Sequence, residues 1–290
     1  MKLISTKSLI LASALALTFT ACKKDENPDP QSSEVSAVDN QAADDLSTDV
    51  FDQFNMTIQE KNYTTSSAFS KSVEETTPNL TTRKTSGIVT IVPTPGTIFP
   101  VKITIDFGTG TPDPNNANII RKGKIVGTLT NYWMVKDAEL RVEMVDYYVN
   151  GVQVTGTKTF TSNGFNQTTN CFSYKVKVDR ARISEDGKTF TWSAERTVSY
   201  FTSGTPLDLR DDYITLTGST SGINRRGVEF TTTITTELKK PVISRWIVSG
   251  VIEHKSSKLP TITLDYGNGT IDNKATLTVN GKTTEITLRK

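Results

Sequence analysis

Two matching strings hold the densest set of groups that could bind a ligand. Asp106-Phe107-Gly108-Thr109-Gly110-Thr111-Pro112-Asp113 has a counterpart in Asp265-Tyr266-Gly267-Asn268-Gly269-Thr270-Ile271-Asp272. Each follows an alternating Ile-Thr run, so the shared pattern D-[FY]-G-x-G-T-x-D marks a tight turn at a strand end. Three chemistries suit it. Carboxylates and carbonyls around a glycine turn can hold Ca²⁺, but the spacing is not that of an EF-hand and no bidentate glutamate follows. Aspartates beside Phe107 or Tyr266 could accept sugar hydroxyls at a rim. In the third reading the aspartates accept backbone N–H groups across the turn and a three-strand unit has been duplicated. The expectation is architecture, with Asp106, Asp113, Asp265 and Asp272 kept as candidate ligand positions.

Little else in the chain has the makings of catalysis. There is one histidine, His254, whereas a zinc site wants two or three nitrogen or sulfur ligands. His254 closes the apolar run Trp246–Ile252, which reads as a central strand, and is expected at the surface or rim. No nucleophile elbow is visible. The 31 acidic residues include many pairs that could serve a glycosidase, Asp211-Asp212 among them, but surface carboxylates are the rule. The expectation is therefore no enzyme, no cofactor and no metal. For stacking on a sugar or peptide, Trp133 and the pair Tyr147-Tyr148 are the best exposed aromatics, while Trp192 and Trp246 read as core.

Cys22 has the most specific chemistry. Lys2 and Lys7 precede the apolar run Leu9–Phe19, a charged start and a short hydrophobic core that make an export signal. The run is too short for a spanning helix, which needs about 20 apolar residues. Phe19-Thr20-Ala21-Cys22 resembles the lipobox of bacterial lipoproteins, with Phe19 where leucine is usual. That resemblance implies cleavage before Cys22 and lipid on its thiol. The polar stretch Cys22–Pro28 then reads as a tether. Losing Lys2 and Lys7 leaves 31 basic against 31 acidic residues, so the mature chain has no electrostatic footprint for nucleic acid. With Cys22 lipidated, Cys171 has no partner in the chain. The fold must stand without an internal disulfide, and Cys171 is expected as a small, half-buried apolar group.

Five segments emerge from the pattern: signal peptide 1–21, tether 22–33, an amphipathic helix over 34–62, a linker or loop over 63–85, and a β-rich domain over 86–290. Val35, Val38, Ala42, Leu46, Val50, Phe54 and Ile58 recur at helical spacing, thinly at first, so docking by the second half is expected. From Ser86 onward apolar and polar residues alternate, as in Phe172–Asp179, Val228–Leu238 and Thr261–Tyr266. Asn150-Gly151 and Asn280-Gly281 are hairpin signals, and Asp186-Gly187 is a further turn. The fold class is all-β: a mostly antiparallel sheet of roughly a dozen strands, a sandwich or a curled sheet, with one N-terminal helix.

The run Cys22-Lys23-Lys24-Asp25-Glu26, with Val38-Asp39-Asn40, Tyr147–Gly151 and Ile262–Thr270, resembles an uncharacterised family of Bacteroidota outer-membrane lipoproteins. The resemblance covers most of the mature chain. It implies a lipid-anchored, β-rich protein of the outer membrane, facing the cell surface, and transfers no activity or site residues. The function expected is a non-enzymatic binding or structural component, with an envelope protein or a glycan as partner. A carbohydrate-binding accessory lipoprotein is the alternative, and an envelope glycosidase comes third.

Overall fold

A computed structural model of the chain describes residues 30–64, 85–202, 210–244, 246–257 and 259–288. One helix, α1 (Pro30–Glu60), precedes fourteen strands. These are β1 (Ile88–Pro93), β2 (Val101–Asp106), β3 (Thr111–Asp113), β4 (Asn116–Leu129), β5 (Glu139–Val149), β6 (Val152–Asn166) and β7 (Cys171–Glu185). They continue as β8 (Lys188–Phe201), β9 (Tyr213–Ile223), β10 (Glu229–Pro241), β11 (Ser249–Ser256), β12 (Leu259–Asn268), β13 (Lys274–Val279) and β14 (Lys282–Thr287).

All fourteen belong to one antiparallel sheet, and all except the short β3 follow one another in chain order from β1 to β14. The sheet does not close into a barrel. The all-β expectation with one N-terminal helix therefore holds, in its curled-sheet form. Its hairpins sit where positive φ was needed: Asn150-Gly151 (50° and 86°) joins β5 to β6, Asp186-Gly187 (48° and 75°) joins β7 to β8, and Asn280-Gly281 (50° and 73°) joins β13 to β14.

Period-two alternation puts one face of the sheet inward. Val101, Leu129, Leu140, Phe160 and Val176 stand side by side across β2, β4, β5, β6 and β7. They join Val50, Phe51, Phe54 and Ile58 of α1 in one buried cluster or pack against it. Burying each of those four helix side chains stabilises by about 2 kcal/mol. Gly127 makes room for the Phe54 ring, which a Cβ there would strike. A smaller cluster of Leu264, Ala275 and Leu288, with Trp246 and Tyr266 against it, fills the last strands.

The helix opens on Pro30, whose missing N–H costs nothing in a first turn. It ends where Asn62 turns left-handed (φ 58°) and the Tyr63 N–H reaches back 2.9 Å to the Ile58 carbonyl, a Schellman-type stop. The N–H groups of Trp133 and Met134 then bond to the carbonyls of Tyr63 and Thr64 at 2.8 and 2.9 Å.

Two features depart from the sequence reading. The helix docks along both halves: in the first, Ser36, Asp39, Asn40 and Ser47 are buried while Val35, Val38, Ala42 and Leu46 are half-buried. Trp246 lies outside any strand, because β11 begins only at Ser249; bulges at Thr236 and Lys239 shift its register against β10.

Candidate functional site

The buried polar face of α1 is the most heavily built site among the described residues. Asp39, Asp44 and Asp49 are spaced by five, which turns each about 140° around the helix from the last. Each nevertheless meets an arginine of the sheet. Asp39 accepts the Arg225 backbone N–H at 2.7 Å and its Nε at 2.6 Å, from the turn between β9 and β10. Asp44 takes Nη1 of Arg196, on β8, at 2.6 and 2.5 Å. Asp49 takes Nε of Arg121, on β4, at 3.0 Å, and Nη2 on its other oxygen. Three carboxylates pointing three ways are all matched, so the sheet curls around the helix.

Neutral bonds fill the spaces between these pairs. Asn40 Oδ1 accepts Trp192 Nε1 at 2.9 Å and the Thr220 hydroxyl at 2.6 Å, and Ser36 accepts Asn224 Nδ2 at 2.8 Å. Arg121 is 2% exposed and also gives Nη1 to Asp113 at 2.5 Å, while the Tyr147 hydroxyl donates to Asp49 at 3.0 Å. Burial works against the Arg121 charge, but the bonds and charge of Asp49 outweigh it and raise its pKa. Burial, with the Asp49 charge, pushes the Tyr147 hydroxyl well above its ordinary range.

Lys158 breaks this pattern. It projects inward from β6 at 1% exposure, with no hydrogen-bond or ion-pair partner among the described residues. Burial pulls its pKa down to about 7 against the weaker upward pull of Asp49 and Asp44. Those two carboxylates are already held by arginines.

In both repeated turns the first aspartate accepts a backbone N–H of its own turn. Asp106 accepts the Gly108 N–H at 2.9 Å, as Asp265 accepts that of Gly267 at 2.8 Å. Gly108 and Gly267 are left-handed, at φ 59° and 87°. The second aspartates diverge. Asp113 is buried on Arg121 and accepts the Asn115 N–H at 2.7 Å, whereas Asp272 accepts the Lys274 N–H at 2.9 Å on an exposed turn. Both Asp106 and Asp265 are oriented by their own turns, and neither pair forms a cluster of three or more acidic, histidine or cysteine ligands among the described residues.

The aromatic expectation needs correction. Trp133 is 2% exposed, folded from the β4–β5 connection onto Phe51, Phe172 and Tyr174. Tyr147 is fully buried on Asp49, and only Tyr148 stays half-exposed, with the Lys122 ammonium 5.1 Å from its ring centre. His254 is also corrected: it is buried, its Nδ1 2.8 Å from the Thr232 hydroxyl, and burial lowers its pKa to about 4. Its Nε2 is buried without a partner. A neutral imidazole fits there because the inner face of the sheet faces the helix, not water. Cys171 is a buried free thiol whose pKa burial raises. Cys22 lies outside the described residues.

An open groove of about 690 Å³ lies on the outer face. A bulge in β7 turns Arg180 left-handed (φ 45°), and its N–H bonds to Ser193 Oγ at 3.1 Å. From there Ser193, Ser221, Thr231 and Lys255 run side by side across β8 to β11, with exposed Ile223 and Glu229 beside them. The expectations named neither this row nor the polar seam. The seam had a signal in Asp39, Asp44 and Asp49, and the groove had none beyond its serines and threonines.

Comparison with protein-family models, curated proteins and solved structures finds no match to this chain.

Proposed function

We propose that the chain is a lipid-anchored protein of the outer membrane, facing the cell surface, whose folded part serves as a non-enzymatic binding or structural component. The observation that carries this reading is the export signal ending in Phe19-Thr20-Ala21-Cys22 and followed by a polar tether. The packing is in keeping with it. Asp39, Asp44 and Asp49 of α1 are held by Arg225, Arg196 and Arg121, and Lys158 and His254 are buried, so the groups a partner could meet lie on the outer face and the sheet edges. Cys22→Ser is expected to release the protein from membranes and abolish fatty-acid labelling. A variant that stays membrane-bound and labelled would remove the reading.

The outer groove favours the second reading, a glycan-binding accessory. Arg180, the Ser221 and Thr231 hydroxyls and Glu229 offer donors and acceptors around the apolar edge of Ile223, a mixture suited to an uncharged oligosaccharide. Titration of the Cys22→Ser chain with neutral hexasaccharides, followed by NMR, should shift groove resonances. Arg180→Ala with Glu229→Ala should weaken that binding at least about tenfold. Unmoved resonances, or equal binding by the double variant, would rule the groove out.

A further inference from the structure

Among the described residues the sheet ends at β1 and at β14, and these two edges are built differently. Edge strand β14 carries Lys282 and Glu285, the latter paired with Lys274 at 2.9 Å, and charge is how a sheet end resists pairing. Edge strand β1 is Ile-Val-Thr-Ile-Val-Pro with no charge at all. It pairs only with β2 among the described residues. Ile88 is 76% exposed and Val92 56%. An uncharged, β-branched, apolar edge is a template for another strand.

We propose that β1 is a self-association edge, through which two copies of this chain pair antiparallel about a two-fold axis at Thr90. The strand is nearly palindromic about that residue. With Thr90 opposite Thr90 of the second copy, Ile88 faces Val92 and Val89 faces Ile91. Both faces then continue. On the inner face, Ile105 and Val89 of one copy line up with Ile91 and Ile103 of the other, since Val89 pairs with Ile105 and Ile91 with Ile103. On the outer face, the row runs Asp106, Ile88, then Val92 and Lys102 of the second copy, because Ile88 pairs with Asp106 and Val92 with Lys102. Apolar rows meet apolar rows across the two-fold axis. A slip of one residue would put Thr90 opposite an inner-face side chain, and a slip of two would set Thr90 against Val92 and Val89 against Pro93 and lose the Ile88–Val92 contacts. The contact is isologous and closes on itself, giving a dimer and not a fibre.

Six residues a side bury less than a standard interface of about 1,600 Å², so the dimer is expected to be weak. Its test does not depend on the lipid anchor. The mature Cys22→Ser chain, sedimented up to ~1 mM, should pass reversibly from monomer to dimer, with half-association below that concentration. Thr90 is exposed, so its substitution leaves the fold intact, as matching melting curves should verify. Thr90→Lys places like charges directly opposite each other and should leave only monomer, as should Thr90→Glu. Mixing the two variants in equal amounts should restore dimer to the wild-type level or above. A wild-type chain monomeric throughout, a Thr90→Lys chain that still dimerises, or a mixture that stays monomeric would each overturn the proposal.

Discussion

Replacing Lys158 with methionine is expected to stabilise the fold at neutral pH by roughly 4 kcal/mol, an unusual sign for a buried substitution. The side chain stands on the inner face of β6, its backbone neighbours Val142 and Val178, and its ammonium has no partner among the described residues. Lysine in the unfolded chain titrates near 10.5, whereas in the fold burial brings Lys158 to about 7. Below the folded value both states hold the proton and the full penalty stands. Between the two values the unfolded chain holds a proton that the folded chain has given up, so stability rises with pH. The wild-type protein should therefore gain stability from about pH 7 to about pH 9.5, before tyrosines of the unfolded chain begin to titrate. Methionine matches the length of lysine and has nothing to titrate, so its curve should be higher at neutral pH and flatter across that window. Urea unfolding of both chains at several pH values measures this. Parallel curves, or a less stable methionine variant, would mean that Asp44 and Asp49 hold the ammonium charged.

The same residue shows where sequence reasoning stops. Lys158 sits in an alternating Thr-Lys-Thr-Phe stretch and looks like any solvated lysine. Its inward direction follows from register, because Val142 lies opposite it on β5 and Val178 opposite it on β7. The hairpins behave otherwise. Asn150-Gly151 and Asn280-Gly281 need left-handed backbone at two successive residues, a local demand that the residue types themselves meet. Helix α1 falls between these cases. Its apolar spacing marks a helix but misplaces its buried face, since a stripe counted in apolar residues overlooks carboxylates neutralised from outside. A pattern of Asp39, Asp44 and Asp49 at intervals of five makes sense only when a partner surrounds the helix. That partner is assembled from Arg121, Arg196 and Arg225, far apart in the chain. Trp133 and Tyr147 are buried against expectation for a similar reason: a strand end or a connection can fold inward onto a helix that no local pattern places there.

Arg121 is the point where that assembly is least tolerant. Arg121→Met is expected to cost about 3–5 kcal/mol, because it strands Asp49 and Asp113 with their charges no longer matched. The guanidinium joins the two carboxylates, with Nε and Nη2 on Asp49 and Nη1 on Asp113, and Tyr147 adds a hydroxyl bond to Asp49. It thus ties α1 to β3 and β4 through one buried group. Arg121→Lys should recover little, since one ammonium cannot make the two-pronged contact with Asp49 and reach Asp113 as well. The pH dependence gives an independent reading. Burial tends to raise the Asp113 pKa, but the Asn115 N–H and Arg121 bonds outweigh it and hold the pKa below its ordinary value of 3.8. A depressed carboxylate adds stability above its unfolded pKa and loses it as pH falls through the folded value. Without Arg121 the Asp113 pKa should rise and that depression is lost, so the variant should lose less stability than the wild type as pH falls below about 4. Adding Asp49→Leu and Asp113→Leu to Arg121→Met should return much of the loss, because uncharged side chains then fill the space. If the single variant costs less than about 1 kcal/mol, or the triple variant is worse than the single, the seam is held mainly by Phe54 and its neighbours, and the ion pairs only fix the direction in which the helix lies.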